Sequence, residues 1–131
     1  MAKTKLPPAN DWRARNIDKW NATTFGSYLE DTHEDLYGIS YVTRSYGMER
    51  RLIRKMIDDY GGEVTKRFID VCFEMYKPTT QYPGINFAFM YSYMRERNLP
   101  PILADLKAEE VRKARKERIN EIDYEKIADL L

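Results

Sequence analysis

Cysteine and histidine occur once each in this chain, as Cys72 and His33. A zinc site of the usual kind draws on three or four such ligands and a disulfide on two thiols, so the chain by itself builds neither. No glycine-rich phosphate cradle is present either. Gly61-Gly62 and Gly84 fit neither the GxGxxG nor the GxxxxGK[ST] spacing that lets backbone N–H groups close on a phosphate. The N-terminus lacks the apolar run of a signal peptide or membrane span, which predicts a cytoplasmic protein with no membrane partner. Charge of one sign is also missing: the net charge is +1, so any attraction to nucleic acid has to come from local clusters. Neither an internal repeat nor a low-complexity segment interrupts the chain. These absences predict a protein that is not an enzyme and holds no cofactor or metal.

What is abundant is aromatic. Ten tyrosines, five phenylalanines and two tryptophans are a heavy load for 131 residues, and tyrosine and tryptophan suit half-buried positions with one end free for water or a partner. With 43% hydrophobic and 33% charged residues the composition is globular, and the length suits one core. The expected fold is all-α, a single small domain of about five helices with a flexible N-terminal arm and a charged C-terminal helix. Residues 1–11 form the arm, 12–106 the helical core and 107–131 the C-terminal helix.

Along the chain, Phe25, Tyr28, Leu29, Thr32 and Leu36 recur at helical spacing, with Thr24 as the expected N-cap and Gly38 as the stop. His33 falls between Glu30, Asp31, Glu34 and Asp35 on what reads as a solvated acidic face, so it is expected at the surface. Ile39–Ser45 reads as a loop. Met48, Leu52, Ile53, Met56, Ile57 and Tyr60 give an amphipathic helix ended by an αL glycine at Gly61-Gly62. Val64, Phe68, Val71, Cys72 and Met75, widened by Ile69, Phe73 and Tyr76, form the next and most buried helix, which places Cys72 in the core and not at a nucleophilic site. Tyr82-Pro83-Gly84 suits a tight turn. After it, Asn86 caps a helix to Arg97 with Phe87, Met90, Tyr91 and Met94 on one face and Phe89 and Tyr93 on another. Asn98-Leu99-Pro100-Pro101 is expected to break the chain before the last helix.

Two basic clusters are candidates for phosphate contact. Arg50, Arg51, Arg54 and Lys55, with Arg44 just upstream, pair into rows by their i, i+4 spacing. Arg112, Lys113, Arg115 and Lys116, extended by Arg118, form the second, with interleaved glutamates. The candidate protein-binding residues are Phe89 and Tyr93 on the aromatic helix and Ile119, Ile122, Ile127 and Leu130 at the end of the chain. The pair of helices around Gly61-Gly62 also suggests a helix-turn-helix, but the second helix is the more apolar and its outer residues, Glu63, Lys66, Arg67, Asp70 and Glu74, are mixed in sign. Phosphate contact from the first helix is therefore expected ahead of base readout.

The run RRLIRKMIDDYGGEVTKRFIDVCFEMYKP followed by YPGINFAFMYSYMRE resembles the small helical accessory proteins of bacteriophages. Within residues 46–100 the helix ending Ile57-Asp58-Asp59-Tyr60-Gly61, followed by Val64–Phe73, also resembles helical segments of DnaD-like replication and helicase-loader proteins. Tyr82–Phe87 replaces the segment that family carries at this point, so no DNA-binding residue is transferred. The resemblance implies a role in replication or transcription, in host cytoplasm, with a protein partner in that machinery and DNA reached through phosphates. The alternative is a protein-only adaptor or inhibitor docking on a host polymerase or a virion component.

Overall fold

The computed structural model describes residues 5–130, apart from the side chains at positions 123 and 124. The fold is all-α, and no β-strand occurs among the described residues. A 3-10 turn, Ile17–Lys19, leads into α1 (Ala22–Tyr37), α2 (Tyr46–Tyr60) and α3 (Gly62–Met75). Then come a single turn α4 (Phe87–Phe89), a π-helical turn (Met90–Met94) and the long α5 (Arg95–Leu130). Contacts divide the chain into two units, Met1–Leu99 and Pro100–Leu131, so the boundary lies inside α5 and ahead of the expected one at residue 106. No described helix is long and apolar enough to cross a membrane.

The N-terminal segment is pinned by rings. Trp12 packs edge-on against Trp20 and Tyr28, and Trp20 against Phe25. Both indoles find acceptors, Trp12 Nε1 on Asp31 Oδ2 at 2.8 Å and Trp20 Nε1 on the Arg15 carbonyl at 2.9 Å. Within the expected arm, Pro8–Asp11 forms a turn, and the Pro7 carbonyl just before it accepts from Arg15 Nε at 2.8 Å; residues 1–4 lie outside the described residues.

α1 starts one turn earlier than its spacing suggests. Asn21, not Thr24, is the N-cap: its side chain accepts from Thr24 N–H at 3.0 Å and Thr24 Oγ1 accepts from Asn21 N–H at 3.2 Å, a reciprocal capping box. Gly38 ends the helix in the left-handed conformation, as expected. The buried stripe is Phe25, Tyr28, Leu29 and His33, whereas Leu36 is 56% exposed. On α2 the buried positions are Glu49, Ile53 and Met56, a 4-3 spacing, and Met48 and Tyr60 turn outward. Gly61 joins α2 to α3 with φ +90° and ψ 165°, an extended glycine-only conformation and not the expected αL stop.

α3 is the central helix. Val64, Thr65, Phe68, Ile69, Cys72 and Phe73 are all buried on it, while Met75 at its end is outside the stripe. Its polar side is closed on itself and on α1. Lys66 pairs with Asp70 at 2.8 Å, Arg67 with Glu63 at 3.2 Å, and the Tyr28 hydroxyl donates to Asp70.

The tight turn expected at Tyr82-Pro83-Gly84 lies earlier. Thr79 N–H donates to the Tyr82 carbonyl at 3.1 Å and Tyr82 N–H to Thr79 Oγ1 at 3.0 Å, after which the chain runs extended to Asn86. Gly84 does not have a positive φ; it is needed for space. A Cβ on Gly84 would stand 2.1 Å from His33 Nε2. His33 itself is 2% exposed, so the acidic-face expectation fails for it: it occupies the next position of the Phe25–Leu29 stripe, and its Nδ1–H donates to the Ile39 carbonyl at 3.1 Å.

Nor does the chain break at Asn98–Pro101. Pro100 and Pro101 lie inside α5. They delete the N–H donors that would reach the carbonyls of Glu96 and Arg97, both exposed residues where water can take the donor's place.

Candidate functional site

The geometry around α4 is set by three helix-start N–H groups that each find a side-chain acceptor. Phe87 N–H donates to the Tyr41 hydroxyl at 2.7 Å, Ala88 N–H to Glu49 Oε2 at 2.9 Å and Phe89 N–H to Asn86 Oδ1 at 2.8 Å. Tyr41 in turn donates to Glu49 Oε1 at 2.6 Å. A carboxylate 3% exposed is thereby satisfied at both oxygens and complements the positive end of the new helix. Burial, reinforced by the neighbouring Glu49 charge, pushes the Tyr41 phenol far above its usual range. Asn86 Nδ2 adds a bond to the Val42 carbonyl, so the Ile39–Ser45 loop, α2 and α4 are locked together.

The π-helical turn that follows inserts about one extra residue into the helical count. Phe87 and Met90 are fully buried, and beyond the π-helical turn Asn98 and Leu99 are buried as well. Asn98 Nδ2 donates to Cys72 Sγ at 3.4 Å, deep beside α3. Burial raises the Cys72 thiol to about 11, with the Asn98 hydrogen bond partly opposing it. This confirms Cys72 as a core residue.

Once Phe87 and Met90 point inward, Phe89 and Tyr93 point outward, 41% and 76% exposed. Their ring centroids are 5.1 Å apart. Phe89 also meets Tyr76 edge-on at 6.1 Å, Tyr76 meets Tyr37 at 6.2 Å, and Tyr37 meets His33 at 4.8 Å. A ladder of rings therefore runs from buried His33 to exposed Tyr93. Tyr82, largely exposed, borders it, its carbonyl accepting from the Tyr76 hydroxyl at 2.5 Å. On the neighbouring face the Arg95 guanidinium lies 3.9 Å over the Tyr91 ring.

The first basic cluster is divided by the fold. Arg50 is half-buried, donating to Thr23 Oγ1 at 2.7 Å and lying against Gly26 of α1; it does not belong to an open row. Lys55 pairs with Asp59 at 3.3 Å. Arg44, Arg51 and Arg54 are exposed and make no ion pair among the described residues. On α5, Arg112, Lys113, Arg115 and Lys116 are exposed, as are Ile119, Ile122, Ile127 and Leu130. The aromatic pair is thus brought together, the α2 cations are separated, and the α5 residues are spread along one helix.

The polar residues that organise the site, Glu49, His33 and Asn98, are absent from the sequence-based set. Glu49 and His33 had a signal: each sits at i−4 or i+4 from a core residue, Ile53 or Leu29, and so lies on an apolar stripe. Asn98 had one as well, four residues after Met94 and eight after Met90 on the face that carries Phe87. Among the described residues no three metal-ligating side chains converge. No protein-family model matches the chain, and no match is found among the curated proteins or the solved structures.

Proposed function

We propose that this chain is a non-enzymatic accessory protein that works by holding a protein partner on the aromatic surface of Tyr76, Phe89 and Tyr93. The observation that carries the reading is the exposure of the adjoining Phe89 and Tyr93 rings on a segment whose opposite face, Phe87 and Met90, is fully buried. Rigid aromatic groups on an anchored scaffold are the groups that dominate protein interfaces, because little side-chain entropy is lost on binding. The resemblance of residues 46–100 to phage accessory and helicase-loader segments supports replication or transcription machinery in the host cytoplasm as the setting. Arg44, Arg51 and Arg54 would add phosphate contacts there.

The test is affinity capture from host or infected extract with and without nuclease. Partners held by the wild type and surviving nuclease, but lost from a Phe89→Ala, Tyr93→Ala double variant, are the expected result; undiminished capture by that variant sinks the reading. The phosphate component is tested separately by DNA binding at two salt concentrations. Affinity that falls with salt and weakens in Arg51→Ala, Arg54→Ala is expected.

The protein-only reading, an adaptor or inhibitor on a host polymerase or virion component, is favoured by one observation: Arg50 and Lys55 are engaged within the chain, leaving the α2 surface with fewer cations than its sequence suggests. Absence of any salt-dependent DNA affinity together with nuclease-resistant capture would select it.

A further inference from the structure

From Val111 to Leu130 every described side chain of α5 is exposed, including five large aliphatic ones, Val111, Ile119, Ile122, Ile127 and Leu130. At about 100° per residue four of them, all but Ile127, fall within one sector roughly 100° wide, the width of a packing stripe. Their spacing along the chain, eight, three and eight residues, reads the same in both directions. A two-fold axis between residues 120 and 121 therefore sets Val111 against Leu130 and Ile119 against Ile122 of an antiparallel copy.

The charges obey the same axis. Arg112–Arg118 holds five cations and one carboxylate, and Glu121–Asp129 holds four carboxylates and one cation. Antiparallel pairing lays the basic half of each helix on the acidic half of the other, with Arg112 opposite Asp129 and Lys116 opposite Glu125. Parallel pairing would lay like on like and is disfavoured. Only Arg115 and Lys126 meet as like charges on the stripe.

We propose that the distal half of α5 pairs antiparallel with the same segment of a second copy of this chain, forming a two-fold homodimer about the Ile119–Ile122 centre. The apolar stripe supplies the attraction and the charge reversal along the helix supplies orientation and register. The contact covers about 30 Å of helix. It does not depend on the partner-binding reading of Phe89 and Tyr93, and either can stand without the other.

Sedimentation of the full chain over a dilution series tests the pairing, with circular dichroism of each variant to show that the helices remain folded. A monomer–dimer equilibrium is expected. Ile122→Asp should abolish it. Arg112→Asp should weaken it several-fold by opposing Asp129 twice per dimer, and adding Asp129→Arg to the same chain should restore it. Lys126→Glu should tighten it, because it replaces the one like-charge match with an attractive pair to Arg115. A chain that stays monomeric at every concentration overturns the proposal. So does a dimer indifferent to Ile122→Asp, or one in which the Arg112, Asp129 double reversal is no better than the single.

Discussion

His33 and Gly84 illustrate how one residue's chemistry depends on another far along the chain. The imidazole is buried with its Nδ1–H on the Ile39 carbonyl, and the extended strand of chain after Tyr82 crosses it so closely that only glycine fits. Since the Cβ of any other residue would stand 2.1 Å from Nε2, far inside van der Waals contact, Gly84→Ala should cost about 2–3 kcal/mol of stability, the cost typical of overpacking a filled core. Urea unfolding reads this directly. In the His33→Ala background the same substitution should cost much less, because the clash has been removed; additive losses in the double variant would show that the two residues are not coupled.

Between elements, the decisive contact is the carboxylate of Glu49 under the start of α4. It accepts from both Tyr41 and the Ala88 N–H, and with Asn86 it completes the capping of Phe87, Ala88 and Phe89. Glu49→Ala strands a buried hydroxyl and a helix-start N–H and should destabilise by about 3 kcal/mol, whereas Glu49→Gln keeps one acceptor and should lose roughly half as much. Amide exchange at Ala88 should accelerate in both. Unchanged exchange would mean that the cap is not what holds α4 in place. Because α4 and its π-helical turn aim Phe89 and Tyr93 outward, Glu49 variants should also weaken capture of the partner proposed for the aromatic surface without touching that surface.

Across the whole molecule, burial of acidic hydrogens makes the fold sensitive to base. Burial lifts the Cys72 thiol from 9.0 to about 11, and it also raises the phenols of Tyr28, Tyr37, Tyr41 and Tyr76. Each of these groups keeps its proton in the folded state after the unfolded chain has released it, so the unfolded state binds fewer protons and stability falls as pH rises. For Cys72 the contribution is complete below about pH 9 and disappears between about 9 and 11, up to about 3 kcal/mol. Denaturation midpoints taken across that range should decline, with a shallower slope in Cys72→Ala despite its lower overall stability. A thiol reagent should modify Cys72 only as the chain unfolds.

Periodicity and capping residues alone determined the helical class, the central place of α3, the end of α1 at Gly38 and the cap at Asn86, because these depend on neighbours within a few residues. The outward aim of Phe89 and Tyr93 was also legible, as the face opposite Phe87 and Met90 on one helix. What the tertiary structure decided is which polar groups complete an apolar stripe and which cations remain open. Glu49 and His33 are buried because distant backbone groups, the Ala88 N–H and the Ile39 carbonyl, satisfy them. Arg50 leaves the basic row because Thr23 of another helix accepts its hydrogen bond. The continuity of α5 through Pro100 and Pro101 was likewise hidden, since a proline's cost depends on whether water can reach the carbonyls it leaves without donors. A one-dimensional pattern records which side chains share a face; only the fold supplies the partner that makes a buried charge or an uncapped carbonyl tolerable.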